Sequence, residues 1–237
     1  MPLVSVCIYM PRIRDDSNVG PGEAPTTVCP STTTHKKGYK MPNIHTPEGV
    51  LARTREYYDT FAQAYAERTA DLVADLLLDF ATSLVPGSKV LDVGCGPGRD
   101  LARLTGLGFS AVGLDLSFAF CNMAQKHAPT VQADLSHIPL ADQSFDGVWA
   151  YASLVHLGTA DAKEAILELR RVLRMGGITE ISVKTKETSG WIGEGDERRW
   201  FHGWDQDEFT SLVGSCGFRV TWSKENRGFF YVRATKA

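Results

Sequence analysis

Hydrophobic positions change rhythm several times along this chain, and each change marks an element. From residue 47 to about 84 the pattern is helical: Leu72, Val73, Leu76, Leu77 and Phe80 recur at three- and four-residue steps, the stripe of an amphipathic helix. Ahead of them Tyr57, Tyr58, Phe61 and Tyr65 form an aromatic set on a shorter helix, and Pro86-Gly87-Ser88 stops the run. After that, short apolar runs of strand length alternate with helical patterns. The strands predicted are 89–93, 110–116, 131–135, 145–152 and 178–184, followed by an antiparallel pair at 218–223 and 229–235. Between them fall helices at 100–107 and 117–126, the second capped by Ser117. A third, 162–174, opens on the capping box Asp161-Ala-Lys-Glu164 and ends at Gly176-Gly177. A fourth starts at Asp205 and closes near Gly217. Such alternation predicts an α/β fold with a mostly parallel sheet, helices on both faces and an antiparallel last strand.

The first part of the chain has no such rhythm. Pro11, Pro21, Pro25, Pro30, Pro42 and Pro47 punctuate it, with Gly, Ser and Thr between. Its apolar content is too low to offset the backbone entropy of ordering it. The domain division expected is therefore a poorly ordered leader at 1–47 and a single domain at 48–237, with Met41 as a second plausible beginning.

Composition narrows the class. With 43% hydrophobic and 22% charged residues, the chain can bury an ordinary core. Its net charge of −3 argues against a partner held through nucleic-acid phosphates. Five scattered cysteines, without a Cys-x-x-Cys pair, suit neither a disulfide framework nor a zinc site and point to the reducing cytoplasm. No apolar run approaches the roughly 20 residues of a membrane helix. The apolar opening 1–10 lacks a charged n-region and a clear cleavage site, which argues against a secretory signal.

The candidate chemistry lies in Val90-Leu-Asp92-Val-Gly94-Cys95-Gly96-Pro97-Gly98-Arg99-Asp100. A buried strand runs into a glycine loop and then a helix, the place where open α/β sheets bind ligands. A dinucleotide fingerprint needs glycine at the first, third and sixth positions. Counted from Gly94, the sixth residue is Arg99, and the third glycine comes early, at Gly98. No Gly-Lys-Ser/Thr ending follows, so a phosphate-cradling loop is excluded. Asp92 instead places a carboxylate ahead of the loop, which suits a ligand bearing positive charge. Asp115 ends the second strand, where an acid can accept both hydroxyls of a ribose. Asp134 and Leu135 close the third strand, and Ala150 lies at the end of the fourth.

In this order and spacing the four motifs resemble the class I S-adenosylmethionine-dependent methyltransferases of the small bacterial type 11/25 kind. The resemblance covers roughly 57–237, and it implies a seven-stranded, Rossmann-like sheet with S-adenosyl-L-methionine as cofactor. It also implies that Asp92, Gly94 and Gly96 hold the methionine end, with Cys95 and Gly98 in the same loop. Asp115 then takes the ribose with Leu116 beside it, Asp134 and Leu135 meet the adenine, and Ala150 offers backbone near the sulfonium. One departure is Met175, where the family usually has Pro.

Several residues carry two readings. Cys95 is read as a small filler between glycines rather than a nucleophile. Tyr65 either closes over the cofactor or packs in the core. His156 either takes a proton from the nucleophile or hydrogen-bonds backbone. The segment 184–204 crowds Trp191, Arg198, Arg199, Trp200, Phe201, His202 and Trp204 into one glycine-bearing loop. It is expected to act as a substrate lid through Arg198, Arg199 and Trp204, or else to plug the sheet edge. The acceptor expected is a small molecule or a peptide. A cofactor-binding protein without chemistry and a tRNA methyltransferase remain as alternatives.

Overall fold

A computed structural model describes residues 47–70 and 74–237. Residues 1–46 of the expected leader, and Leu72 and Val73 of the helical stripe, lie outside that range. The helical stretch begins as α1 (Pro47–Thr60) and α2 (Ala62–Thr69), followed by α3 (Ala74–Thr82). The break falls at Phe61, whose φ of −107° and ψ of 21° turn the chain between α1 and α2. That turn brings Tyr57 within 5.0 Å of Phe61 and Tyr58 within 5.3 Å of Tyr65, ring centre to ring centre. On α3, Leu77 and Phe80 are fully buried under the sheet.

The sheet is built from β1 (Lys89–Val93), β2 (Ser110–Asp115), β3 (Thr130–Gln132), β4 (Phe145–Ala150) and β5 (Leu173–Thr185). The strands β9 (Phe218–Asn226) and β10 (Phe229–Lys236) complete its main path. The order is β3-β2-β1-β4-β5-β10-β9, with β10 antiparallel to both neighbours. This is the mostly parallel sheet with an antiparallel last strand that the alternation predicts. An additional two-residue strand, β8 (Gly203–Trp204), pairs parallel with β5. Helices α4 (Arg99–Gly106), α5 (Phe118–Ala124), α6 (Thr159–Val172) and α7 (Gln206–Ser215) are wound around the sheet.

Strands covered on both faces bury successive residues in opposite directions. Leu91 and Val93 of β1 pack with Val148, Ile166, Leu169 and Ile181, while Val90 joins Phe80, Leu101, Leu104 and Trp149. At about 25 cal/mol per Å² of apolar surface, these two layers are the dominant stabilising contribution. The chain passes from β1 to β2 on one side and later returns to β4 on the other. That reversal leaves a crevice at the carboxyl ends of β1 and β4.

Local signals failed at three places. α6 starts at Thr159 with Gly158 as its N-cap and no side-chain cap bond, so Asp161 lies in the first turn and the expected capping box is not formed. The same helix ends at Val172 rather than at Gly176-Gly177. Leu173 is fully buried and pairs with Phe145 in extended conformation, and this strand pairing outcompetes another helical turn. β3 is also shorter than expected, because the Asp134 carboxylate accepts from the backbone N–H and hydroxyl of Ser136 (2.9 and 2.8 Å) and turns the chain. Two expected caps are present. Ser117 accepts from the Phe120 N–H, and Asp205 accepts from the N–H groups of Asp207 and Glu208.

Candidate active site

The glycine loop closes β1 against the rest of the sheet. Gly94 N–H and Cys95 N–H both donate to the Leu114 carbonyl (2.7 and 3.0 Å). A Cβ on Gly94 would stand 2.5 Å from the Ser153 Cβ, so the loop after β4 can approach only because glycine is there. Gly96 has a φ of +54°, and a Cβ added to it would meet nothing within 4 Å. Its open side faces a cavity of about 220 Å³ at the carboxyl ends of β1 and β4. Gly98 serves packing instead: its Cβ would lie 2.8 Å from the Ala124 Cα.

Three buried carboxylates reach this cavity, Asp92, Asp100 and Asp115, of which Asp100 is paired with Arg99. Asp92 is 2% exposed, and its Oδ2 has no hydrogen-bond partner. Burial raises its pKa well above the usual carboxylate range, and the nearby Asp100 and Asp115 add to the rise. Asp115 accepts from the Gly96 and Ser117 N–H groups (2.9 and 2.8 Å). Burial still pushes it up to about 6, against the lowering effect of those bonds. Arg99 stands where a dinucleotide site would need glycine. Its guanidinium donates to both Asp100 oxygens (2.8 and 2.7 Å) and to the Thr69 carbonyl (3.0 Å), tying the loop to the end of α2.

The other walls are aromatic and hydroxylic. Tyr58, Tyr65 and Phe120 line the cavity with ring centres 5.3 Å apart in each pair. Tyr151 and Phe229, stacked 5.9 Å apart, line it as well. Thr54 on α1 and Ser153 after β4 also line it, each with a buried hydroxyl that has no partner.

His156 lies on this wall with both ring nitrogens engaged. Nδ1 meets the Trp200 carbonyl, and Nε2 lies 3.0 Å from the Tyr58 hydroxyl. A carbonyl can only accept, so Nδ1 carries the proton and Nε2 accepts from Tyr58. Burial lowers the imidazole pKa to about 4, so the ring is neutral. Any base role for His156 therefore runs through Tyr58.

Tyr65, Asp92, Gly94, Cys95, Gly96, Asp115, Leu116, Leu135 and His156 thus line one cavity, as a shared site requires. Cys95 is a buried thiol whose pKa burial pushes up, in keeping with a filler. Asp134 spends its carboxylate on the Ser136 turn, and Ala150 is fully buried in the core; neither lines the cavity.

The expected lid is a different object. Residues 190–201 form a β-hairpin, β6 (Gly190–Ile192) with β7 (Arg199–Phe201), which packs against α1 behind the cavity wall. Arg199 sits 4.1 Å over the Tyr57 ring, with Nη1 3.4 Å from the Tyr58 hydroxyl. Arg198 lies 5.4 Å from the Trp191 ring on the exposed side. Trp204 is 1% exposed and packs 5.1 Å from Phe209. None of these three lines the cavity: pairing with β5 and the core take Trp204 inward, the Tyr57 ring holds Arg199, and Arg198 faces solvent. Sequence reasoning did not name Thr54, Tyr58, Ser153, Tyr151 or Phe229 as site residues. Thr54 and Tyr58 share a helical face at i,i+4, a signal that could have been used, whereas Phe229 arrives only because β10 inserts beside β5.

Known proteins share part of this sequence and this fold. Residues 91–181 match the family described as a methyltransferase domain, of type 11. The methyltransferase GfsG of Streptomyces halstedii is 38% identical over 103 residues, covering 38% of this chain and 36% of that protein. The malonyl-[acyl-carrier protein] O-methyltransferase of Pseudescherichia vulneris is 36% identical over 130 residues, covering 54% and 49%. The chain thus spans half or less of the length of these relatives. Among solved structures, the 1,6-didemethyltoxoflavin-N1-methyltransferase of Burkholderia thailandensis, with its substrate and S-adenosylhomocysteine bound, superposes with a TM-score of 0.68 at 20% identity. That match covers 82% of this chain and 92% of the other and shows a shared fold.

Proposed function

We propose that this protein binds S-adenosyl-L-methionine at the crevice of β1 and β4 and transfers its methyl group to a small-molecule or peptide acceptor. The observation that carries the reading is Asp92: a buried carboxylate oxygen without a partner, in a cavity whose glycine loop is open at Gly96. A buried anion without a partner is costly, and a cationic ligand relieves that cost. The cofactor, when bound, supplies an electrophilic methyl group on a sulfonium sulfur together with an ammonium group for Asp92. Asp115 and Leu116 would hold the ribose, Leu135 and the Asp134 turn would border the adenine, and Tyr65 with Phe120 would cover it. The protein's remaining task is orientation and exclusion of water, which the aromatic wall and α1 serve; orientation of this kind can contribute roughly 7–11 kcal/mol of barrier lowering.

A small acceptor suits the enclosed, aromatic walls better than a nucleic acid suits a chain of net charge −3. Among the described residues no helix is long and apolar enough to cross a membrane. We place the protein in the cytoplasm, consistent with the free buried thiols of Cys95, Cys121 and Cys216. Titration calorimetry with S-adenosylmethionine and with NAD tests the cofactor. Binding of the first alone is expected, and binding of NAD alone would overturn the reading. Binding without formation of S-adenosylhomocysteine across a broad acceptor set would leave a cofactor-binding protein without chemistry.

A further inference from the structure

The geometry points to Tyr58 and His156 as a proton relay serving the methyl acceptor, with Tyr58 the group that touches it and a neutral ring-borne hydroxyl as the acceptor class. This rests on the methyl-transfer reading above. Tyr58 lines the cavity from α1 and donates its proton to His156 Nε2 at 3.0 Å, while the Trp200 carbonyl holds the Nδ1 proton. The phenol oxygen also accepts a long bond from Arg199 Nη1 (3.4 Å) and retains a further lone pair, on a residue that lines the cavity. One turn earlier on α1, Thr54 presents a buried hydroxyl without a partner to the same space, a hydrogen-bonding position for the acceptor. Tyr151 and Phe229 form the aromatic wall, which suits a flat ring.

The step balances as follows. A lone pair on the acceptor oxygen forms the new bond to the methyl carbon, and the carbon–sulfur electron pair stays on sulfur as the sulfonium becomes a thioether. The acceptor's O–H proton passes to the Tyr58 oxygen while the Tyr58 proton passes to His156 Nε2. The imidazolium so formed then releases its proton to water. Arg199 Nη1, 3.4 Å from the Tyr58 oxygen, favours negative charge there during the transfer. The charged and titratable groups facing the pair are Arg199 from the hairpin, Tyr65 from α2 and Asp115 from β2.

The lowered His156 pKa favours a proton that the methylated acceptor holds loosely, and the stacked Tyr151 and Phe229 rings favour an acceptor on a flat ring. A hydroxyl oxygen under attack meets that condition. An aliphatic ammonium, which keeps its proton near the lysine range, does not.

Two experiments test the relay. In histidine ¹⁵N NMR of the full chain, assigned with His156→Gln, His156 should read as the Nδ1–H tautomer with an accepting Nε2 whose resonance shifts in Tyr58→Phe. A protonated Nε2, or no shift, would overturn the pair. In the second, labelled S-adenosylmethionine is offered with 7-hydroxycoumarin and 2-naphthol, and separately with benzylamine and phenethylamine. Label on the hydroxyl probes, with kcat at least tenfold lower in Tyr58→Phe at unchanged KM and cofactor Kd, is the expected result. Label on the amines instead, label on neither set while the cofactor binds, or a kcat within twofold in Tyr58→Phe would each overturn it. Loss of cofactor binding by the unaltered protein would instead bring down the methyl-transfer reading itself.

Discussion

Asp92→Asn should make the ligand-free protein more stable and the cofactor complex weaker. The substitution keeps shape and removes one charge from a residue that is 2% exposed, whose Oδ2 has no partner and whose neighbours include Asp100 and Asp115. Leaving a buried polar group unsatisfied costs about 1–3 kcal/mol, and more when it is charged. The amide that replaces it is also unsatisfied but uncharged, so stability should rise only by the extra cost of the charge, about 1–2 kcal/mol, or about 2–8 °C in Tm for a domain of this size. The sign depends on pH. A carboxylate whose folded pKa is raised contributes stability below its unfolded pKa near 4 and loses it as pH rises through the folded value. The gain of the variant over the native protein should therefore grow from pH 5 to pH 8. Binding should move the other way, because the ammonium and sulfonium lose an anion. A charge-assisted hydrogen bond contributes about 1.5–3 kcal/mol, so Kd should rise roughly 10- to 100-fold. Thermal melts across pH and calorimetry on the same preparations measure both. A variant that melts lower than the native protein at pH 8 and binds S-adenosylmethionine normally would refute the assignment of Asp92.

Asp115→Ala should weaken cofactor binding by about 1.5–3 kcal/mol in calorimetry, the range for charge-assisted hydrogen bonds, and unchanged affinity would remove it from the ribose site. For Gly96→Val, whose φ of +54° disfavours a branched residue, a folded but less stable protein with binding lost is expected, since the side chain would enter the cavity. Circular dichroism and calorimetry together decide, and normal binding would show that the ligand does not approach Gly96. Arg199→Ala should lower Tm by several degrees through loss of its ring contacts, worth about 1–2 kcal/mol, whereas exposed Arg198→Ala should leave Tm nearly unchanged. Equal effects of the two would contradict the bracing role of the hairpin. His156, lowered to about 4, stays neutral when folded but charges near 6.5 when unfolded, so its contribution is present above pH 6.5 and is lost as pH falls toward 4. His156→Gln should flatten the stability profile across that window, and an unchanged slope there would count against a buried neutral imidazole.

The sequence by itself was enough for the elements that local chemistry dictates. The apolar run of β1, the glycines after it and the acid ending β2 could be read directly, because backbone freedom and short-range periodicity are written in consecutive residues. The same holds for the Ser117 and Asp205 caps, each of which needs only residues within one helical turn. Where a distant partner decides, the sequence was silent or misleading. The capping box at Asp161 and the Gly176-Gly177 stop were sound local signals, yet α6 begins and ends elsewhere because buried Leu173 pairs with Phe145. The aromatic loop looked like a lid, but strand pairing with β5 buried Trp204, and the Tyr57 ring took up Arg199. The cavity's second wall is also a tertiary product. Thr54 and Tyr58 come from α1, Ser153 and His156 from the loop after β4, and Phe229 from a strand inserted beside β5. Local propensity involves neighbours a few residues apart. A site assembled from residues up to 178 positions apart (Leu51 to Phe229) depends on sheet order, and many sequences reach the same order without sharing a side chain.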